Sequence, residues 1–456
     1  MYNHKVVPVT GSSGCVSTPC LVTQHEARDF SHEWFTIKTD IDSFDVIVVG
    51  AGAAGMMASA AAAGTGVSVC MLDINPRPGA KMLITGKGRC NITNDCDTQT
   101  FLGEVIRNPR FIYSAMAGFS TQDTKHFFES RGVPLKTERG RRVFPVSDRS
   151  GDIVAAMEKE CRVAGVRFEQ ARVTGLISDA NGIRGVKTDQ GSIYARAVIL
   201  ATGGMSYPRT GSTGDGYAFC RSLGHTVTEL SPSLIPLVCE GSLFAEMQGL
   251  SLKNVTLSLT DGQTGKVLYK DLGEMMFTHF GLSGPLVLSA SAYIPHMERG
   301  RYSVSIDLKP ALNEQTLDTR IQSDFKKYAN KDFCHTLSDL LPAKMIDVIV
   351  RLSGIPEHLK AHEIKKEQRQ ELVRLLKNLR FEIRGFRPLE EAVVTRGGIA
   401  VSEINPKTME SKICKGLYLS GEMIDVDAFT GGYNLQIALS TGRLAGLSAA
   451  AAVRQE

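Results

Sequence analysis

The sequence predicts an α/β fold built on a parallel sheet, and three apolar runs carry that prediction. Asp45-Val46-Ile47-Val48-Val49 is a short β-branched run of the kind that fills a strand buried on both faces. It leads into Gly50-Ala51-Gly52-Ala53-Ala54-Gly55 and then an alanine-rich helix over residues 56–63. A second strand, Val67-Ser68-Val69-Cys70-Met71-Leu72, ends at the acidic Asp73. A third, Ala195-Arg196-Ala197-Val198-Ile199-Leu200, runs into the small residues Ala201-Thr202-Gly203-Gly204, as a parallel strand does where it ends at a crevice.

A GxGxxG pattern alone says little, but here a strand precedes it, a helix follows, and an acidic residue closes the next strand. The three glycines serve different ends. Gly50 makes the tight turn, Gly52 lets backbone approach a pyrophosphate, and Gly55 lets the helix pack on the sheet. The helix start at Ala53 and Ala54 offers free N–H groups and the positive end of a dipole to a diphosphate. Asp73 can accept hydrogen bonds from ribose hydroxyls. This stretch reads as a Rossmann-like dinucleotide site.

Composition bounds the rest. The chain has 456 residues, enough for two or three domains; 43% hydrophobic and 22% charged residues are ordinary for a soluble globular protein. A formal net charge of +4 is mild, and no aromatic-basic stripe accompanies it, so no nucleic-acid partner is expected. No stretch approaches the ~18 uninterrupted apolar residues of a spanning helix, so no membrane is expected either. The ten cysteines follow no repeating spacing and no signal peptide precedes them, which suits reduced thiols in a cytoplasmic protein. Residues 1–43 lack any period and read as a loosely ordered extension. Their Cys15, Cys20, His4, His25 and His32 match no zinc spacing, and no metal is expected.

After the second strand come Asn75-Pro76-Arg77-Pro78-Gly79-Ala80-Lys81 and Gly86-Lys87-Gly88-Arg89-Cys90-Asn91-Ile92-Thr93-Asn94. These small, glycine-rich segments, with Lys81 and Arg89, suit a long anionic cofactor. Near the end, Gly416-Leu417-Tyr418-Leu419-Ser420-Gly421-Glu422 reads as a strand and a Gly-acidic turn, and Thr430-Gly431-Gly432-Tyr433-Asn434-Leu435-Gln436 opens a last helix through Ala449. Such a turn can hydrogen-bond a ribityl chain, and such a helix start can favour negative charge at the N1 and O2 edge of a flavin. Together these motifs resemble the family of FAD-dependent flavoproteins known as NAD(P)/FAD-dependent oxidoreductases. That family includes an aminoacetone oxidase and a flavoprotein reductase of bile-acid degradation, and is related more distantly to the glutathione-reductase-like and fumarate-reductase-like flavoproteins.

The resemblance covers nearly all of the chain beyond Ser43 and implies a cofactor, FAD, with its contacts. It carries over Arg89, Cys90, Asn91 and Thr93 from the second glycine segment, and Val173, in a short strand over residues 168–174, as a backbone contact to adenine. It also implies Ala201, Thr202 and Gly203 at the crevice, and Gly421, Glu422, Gly432, Asn434 and Leu435 at the flavin. Residues 392–398 resemble the point where the chain re-enters the FAD domain. Three departures stand out: Asp73 where Glu is commoner, Ala80 in place of a basic residue, which leaves more phosphate contact to Lys81, and Gly-Lys-Gly for three glycines at 86–88.

The implied architecture is a glutathione-reductase-type FAD domain over 44–229 and 385–456, interrupted by an insertion. Residues 230–310 alternate as strands do, with a turn at Asp261-Gly262, and read as a β-barrel-like substrate domain. Residues 311–384 read as a helical subdomain, with Leu372, Leu375, Leu376 and Leu379 on one face. His279, inside a family-like Phe-Thr-His-Phe-Gly-Leu-Ser-Gly-Pro segment, is the one weak candidate for a catalytic role near the substrate. Arg139-Gly140-Arg141-Arg142 reads as a surface hairpin or an anion contact. Cys90 and Cys96 lie where flavin disulfide reductases carry a redox pair, but five residues separate them instead of four.

The function expected is a FAD-dependent oxidoreductase exchanging a hydride between flavin N5 and a small organic substrate. NAD(P)H is a possible transient donor, bound weakly in the substrate cleft, because no second glycine motif follows a strand. Two alternatives stay open: an amine oxidase using oxygen, and a flavin-binding protein that modifies RNA or senses redox state. The oligomeric state is not readable from the sequence.

Overall fold

Val46, Ile47 and Val48 have no exposed surface because their strand stands in the middle of a sheet, with a neighbour on each side and helices on its faces. The computed structural model describes residues 43–455. The extension expected over residues 1–43, with its cysteines and histidines, lies outside the described residues except for Ser43, which opens the first strand.

The strand Ser43–Val49 pairs in parallel with Val69–Asp73 on one side and Gly191–Leu200 on the other, placing Val48 opposite both Met71 and Ile199. Arg167–Gln170 extends the sheet beyond Val69–Asp73, and Leu417–Leu419 pairs in parallel with Gly191–Leu200. Val173–Asp179 and Gly182–Thr188 add an antiparallel meander that ends in Gly191–Leu200. The single strand expected over 168–174 is therefore two strands in different places, broken at Ala171-Arg172. The break turns the chain from the parallel layer into the meander.

Two helices lie against one another on this sheet. The Ala53–Ala63 helix is rich in alanine, and the long final helix, Tyr433–Gln455, runs past the Ala449 expected from sequence. A Cβ on Gly442 would stand 2.3 Å from the Ala54 carbonyl oxygen, and one on Gly446 would stand 2.2 Å from that of Ala58. Only glycine permits backbones this close. Because the two contacts advance together, from Ala54 to Ala58 and from Gly442 to Gly446, the helices run side by side in the same direction.

The insertion contains a closed antiparallel barrel of six strands: Leu237–Cys239, Gly281–Ser283, Val267–Thr278, Ser251–Asp261, Tyr302–Asp307 and Leu379–Phe386, in that order around the wall. The Asp261-Gly262 turn joins two of them as expected. Leu257, Leu259, Phe277, Val304, Ile306, Phe381 and Ile383 fill its core. Glu314–Lys327, Ala343–Ser353 and Lys366–Lys377 pack on that core, as do the short helices Pro285–Ser291 and Leu243–Glu246. The expected helical range 311–384 overreaches here. Leu379–Phe386 is the strand that closes the barrel, with Leu379, Phe381 and Ile383 buried and Arg380, Glu382 and Arg384 exposed between them. Arg139-Gly140-Arg141-Arg142 forms the turn between the paired strands Leu135–Glu138 and Arg142–Pro145, the hairpin reading of that segment.

The chain leaves the parallel-sheet part of the molecule through Ser231–Ser233 and returns through Val394–Arg396, which pair antiparallel. Among the described residues no helix is long and apolar enough to cross a membrane. Gly446→Leu is expected to lower stability by about 1–3 kcal/mol, because the side chain would have to push Ala58 away. A urea unfolding midpoint equal to wild type would show that the two helices separate without penalty.

Candidate cofactor-binding site

The C-terminal ends of the parallel strands and the starts of both packed helices open onto one cleft. At one end it is lined by Asp73, Asn75, Arg172 and Val173, and at the other by Val393, Val394, Asn434 and Leu435.

The glycine turn is built as the sequence implies. Gly50 has φ +103°, and a Cβ there would stand 2.4 Å from the Ala201 carbonyl oxygen. A Cβ on Gly55 would lie 1.7 Å from the carbonyl oxygen of Gly50, so the helix sits directly on the turn. Gly52 differs: its Cβ would meet nothing within 4 Å and would project into the cleft that Gly52 lines. The helix that starts there has no side-chain cap. An uncapped helix start beside open space is a cradle for a diphosphate. Gly50, Gly52, Ala53 and Ala54 all line the cleft; Gly55 lies behind them.

Asp73 lines the cleft at the tip of its strand. One of its oxygens accepts from the Ala51 N–H at 2.6 Å, and the other accepts from both nitrogens of Asn75 at 2.8 Å. The carboxylate thus ties the glycine turn to the second strand and keeps lone pairs to spare at the cleft that Asp73 lines. Ala201, Thr202, Gly203 and Val173 are cleft residues too. Lys81, expected as a free cation for phosphate, instead lies 2.6 Å from Glu422 and 2.7 Å from the Ser206 hydroxyl. The other Glu422 oxygen accepts from the Thr395 N–H at 2.9 Å. The pair cancels its own charge, so neither side chain gives the cleft a net sign.

At the far end, Gly421 has φ +74°, and its N–H donates to the Thr441 hydroxyl at 3.0 Å. The Asn434 side chain binds both the N–H and the carbonyl of Ala428, at 2.9 and 2.8 Å. It pins the loop in front of the final helix, while the backbone at Asn434 and Leu435 borders the cleft.

Besides Gly55, five residues expected at the cofactor are not among those that line the cleft. Arg89 is held by Glu138 and Asp148, with its guanidinium 4.1 Å above the Phe144 ring. Thr93 is buried and donates to Gln436 at 2.6 Å, and a Cβ on Gly432 would stand 2.3 Å from the Thr93 carbonyl oxygen. These two seat the foot of the final helix. Asn91 is half-buried off the cleft, with an Oδ1 that has no partner among the described residues. Cys90 is fully buried. His279 is exposed at the turn between two barrel strands, edge-on to Phe280 and away from the cleft lining.

The dithiol idea fails on chemistry. Burial pushes the Cys90 thiol up to about 12, and burial followed by the Asp97 carboxylate pushes Cys96 up to about 11. A redox thiol needs the opposite shift. Both groups stay protonated at pH 8, so slow reaction with Ellman's reagent is expected, with the same thiol count in oxidised and dithionite-reduced protein. A gain of two reactive thiols on reduction would establish a disulfide couple.

What the sequence did not disclose is an aromatic group beside the far end of the cleft. Phe429 stacks on Tyr293 with ring centroids 5.3 Å apart and planes 26° apart, and Tyr293 lies 5.3 Å from Tyr269. The three come from a loop before the final helix, the turn that follows the short helix Pro285–Ser291, and a barrel strand. No local spacing signals that they meet.

Residues 44–448 match the HI0933-like protein Rossmann domain family. The chain is 34% identical over 412 residues to 3-dehydro-bile acid delta(4,6)-reductase of Clostridium scindens, covering 88% of this chain and 98% of that protein. It is 31% identical over 403 residues to ribosomal RNA dihydrouridine synthase of Escherichia coli, covering 88% and 96%. Among solved structures, 3-ketosteroid delta1-dehydrogenase of Sterolibacterium denitrificans superposes with a TM-score of 0.51 at 13% identity over 90% of this chain and 100% of the other, a likeness of fold. With its glycine turn, paired helix starts and inserted barrel, the chain belongs to the HI0933-like family of FAD-dependent oxidoreductases.

Proposed function

We propose that this protein reduces a carbon–carbon double bond conjugated to a carbonyl, using FAD as the hydride carrier. The observation that carries this reading is what two full-length relatives share. A delta(4,6)-reductase of a 3-dehydro bile acid and a dihydrouridine synthase both, by name, add hydrogen across a double bond in a ring that bears a carbonyl.

The residues present suit FAD. The turn Gly50–Ala54 and the uncapped helix start would take the diphosphate, Asp73 the ribose, and the backbone near Val173 the adenine. Gly421 and Glu422 would meet the ribityl chain. The start of the final helix at Asn434 and Leu435 would favour negative charge at the N1 and O2 edge. When bound, FAD supplies a reversible hydride site at N5. The chain orients the ring and keeps water from it through the apolar surface of Val393, Val394 and Leu435. With one glycine turn and no second one, a nicotinamide donor would use the substrate side of the cleft and leave before the substrate binds.

A second substrate class has a specific observation behind it: the dihydrouridine synthases of Escherichia coli and Haemophilus influenzae are 31% identical to this chain, and their names specify ribosomal RNA. Uracil is itself a ring with a conjugated carbonyl, so the same site chemistry would serve a nucleotide in RNA.

Two outcomes are expected. Gly52→Val should fold with the unfolding midpoint of FAD-stripped wild type but retain no FAD, because its side chain enters open space that the diphosphate needs; full flavin content in the purified variant would remove the cradle reading. Wild-type holoprotein, reduced anaerobically, should recover its 450 nm absorbance with 2-cyclohexen-1-one or with uridine-containing ribosomal RNA, and not with cyclohexanone. Recovery with oxygen alone, after reduction by an amine, would make it an oxidase instead.

A further inference from the structure

We propose that the aromatic group Tyr269, Tyr293 and Phe429 is the wall against which a flat substrate ring is held, and that the Tyr293 hydroxyl donates the proton that completes its reduction. This inference rests on the conjugated-carbonyl reading above.

The wall adjoins the flavin end of the cleft. Phe429 belongs to the loop that Asn434 pins, immediately before the final helix. Phe429 also packs with Leu288, Ala292 and Ile106 onto Val393 and Val394, and those two valines line the cleft. The insertion reaches the same place: Ser289 lies 3.4 Å from Thr430, hydroxyl to hydroxyl. The wall is therefore shared, with Phe429 from the FAD domain and both tyrosines from the insertion.

Tyr293 is the accessible member. It is 39% exposed, whereas Phe429 and Tyr269 are half-buried. The Tyr269 hydroxyl is taken by Asp271 at 3.3 Å, while that of Tyr293 has no hydrogen-bond partner among the described residues. Its backbone is nevertheless held firmly. The buried Arg396 donates to the carbonyls of Ala292 and Ile294, on either side of Tyr293, the second at 2.7 Å. The Ser291 hydroxyl accepts from the Ile235 N–H at 2.9 Å. A clamped backbone with a free hydroxyl at its tip is what a positioned proton donor requires. The charged groups facing it are the carboxylates Glu104 and Asp271. With burial, they push the phenol above its ordinary value, so it holds its proton through neutral pH.

The balance is simple. The carbon β to the carbonyl accepts the hydride that reduced FAD supplies, and the double-bond pair moves to an enolate. The α carbon then forms its C–H bond as the Tyr293 O–H bond breaks, and solvent returns the proton to the exposed phenolate. The substrate gains one hydride and one proton.

Two variants of the holoprotein test the wall and the hydroxyl separately. Binding is read without turnover, from the perturbation of the oxidised flavin spectrum on titration with 2-cyclohexen-1-one. Tyr293→Phe keeps the ring, so Kd should stay within about 3-fold of wild type while anaerobic reoxidation by the enone slows about 100-fold or more. Tyr293→Leu should raise Kd about 10-fold as well. Reoxidation of Tyr293→Phe at the wild-type rate would overturn the hydroxyl's role, and wild-type Kd in Tyr293→Leu would overturn the wall. Failure of the underlying function looks different: wild-type reduced protein would then be reoxidised by no conjugated carbonyl, and the proposal would fall with it.

Discussion

The contact between the first and last helices organises the molecule. Glycine inside a helix costs about 1 kcal/mol relative to alanine, yet the final helix carries two, Gly442 and Gly446, one turn apart on its buried face. Their effect is geometric. Level with Ala54 at Gly442, the final helix begins at Tyr433, nine residues earlier, while the first helix begins at Ala53. At 1.5 Å per residue the two helix starts are offset by about 12 Å along the cleft. A single close-packed pair thus offers two positive dipole ends, one to the phosphates of a dinucleotide and one further along to its ring. The neighbouring parts depend on the same register. Gly421 fits because a Cβ there would stand 2.9 Å from that of Ala54, and its N–H is held by Thr441 on the final helix.

This arrangement explains why so little side-chain charge faces the cleft. Lys81 and Glu422 neutralise one another, Asp73 is engaged with the turn, and Arg89 is bound to two carboxylates elsewhere. Attraction for an anionic cofactor then falls to backbone N–H groups and helix ends, each equivalent to about half a charge and fixed in direction. Fixed dipoles do not swing toward solvent as a lysine does, so a site built from them keeps its shape between turnovers.

Much of the fold was legible because its signals are local. β-branched runs gave the parallel strands, and alternation gave the barrel. Leu379–Phe386 was hidden because it follows a leucine-spaced helix after a single intervening residue, Asn378, so that Leu379 continued the helical period while beginning a strand. The geometry of the cleft was legible where one segment makes the turn by itself, as at Gly50–Gly55. At Arg89–Thr93 and Gly432 the motif names the residue types but not the face they present, and these residues are not among those that line the cleft. Thr93 turns inward to Gln436 and Gly432 packs against Thr93, so both support the foot of the final helix, while Arg89 is held by Glu138 and Asp148. The aromatic wall had no signal, since residues 269, 293 and 429 meet only after the chain has folded.

The link between the two halves has its own logic. The chain crosses between the FAD domain and the insertion through one two-stranded pair, a narrow join that by itself would leave the barrel free to rock. Arg396, the last residue of the returning strand, prevents this. It is 6% exposed and bonded to the backbone at Ala292 and Ile294, with Asp427 and Asp425 buried nearby to offset its charge. Burying a guanidinium is expensive unless it is paired and hydrogen-bonded, and a well-packed apolar group would hold two domains together as well. An apolar contact would not, however, dictate where two particular carbonyls sit. A bidentate donor does, and those carbonyls flank Tyr293. The buried charge fixes the insertion's wall in register with the ring end of the cleft, where displacement by about 1 Å is enough to lose catalytic alignment.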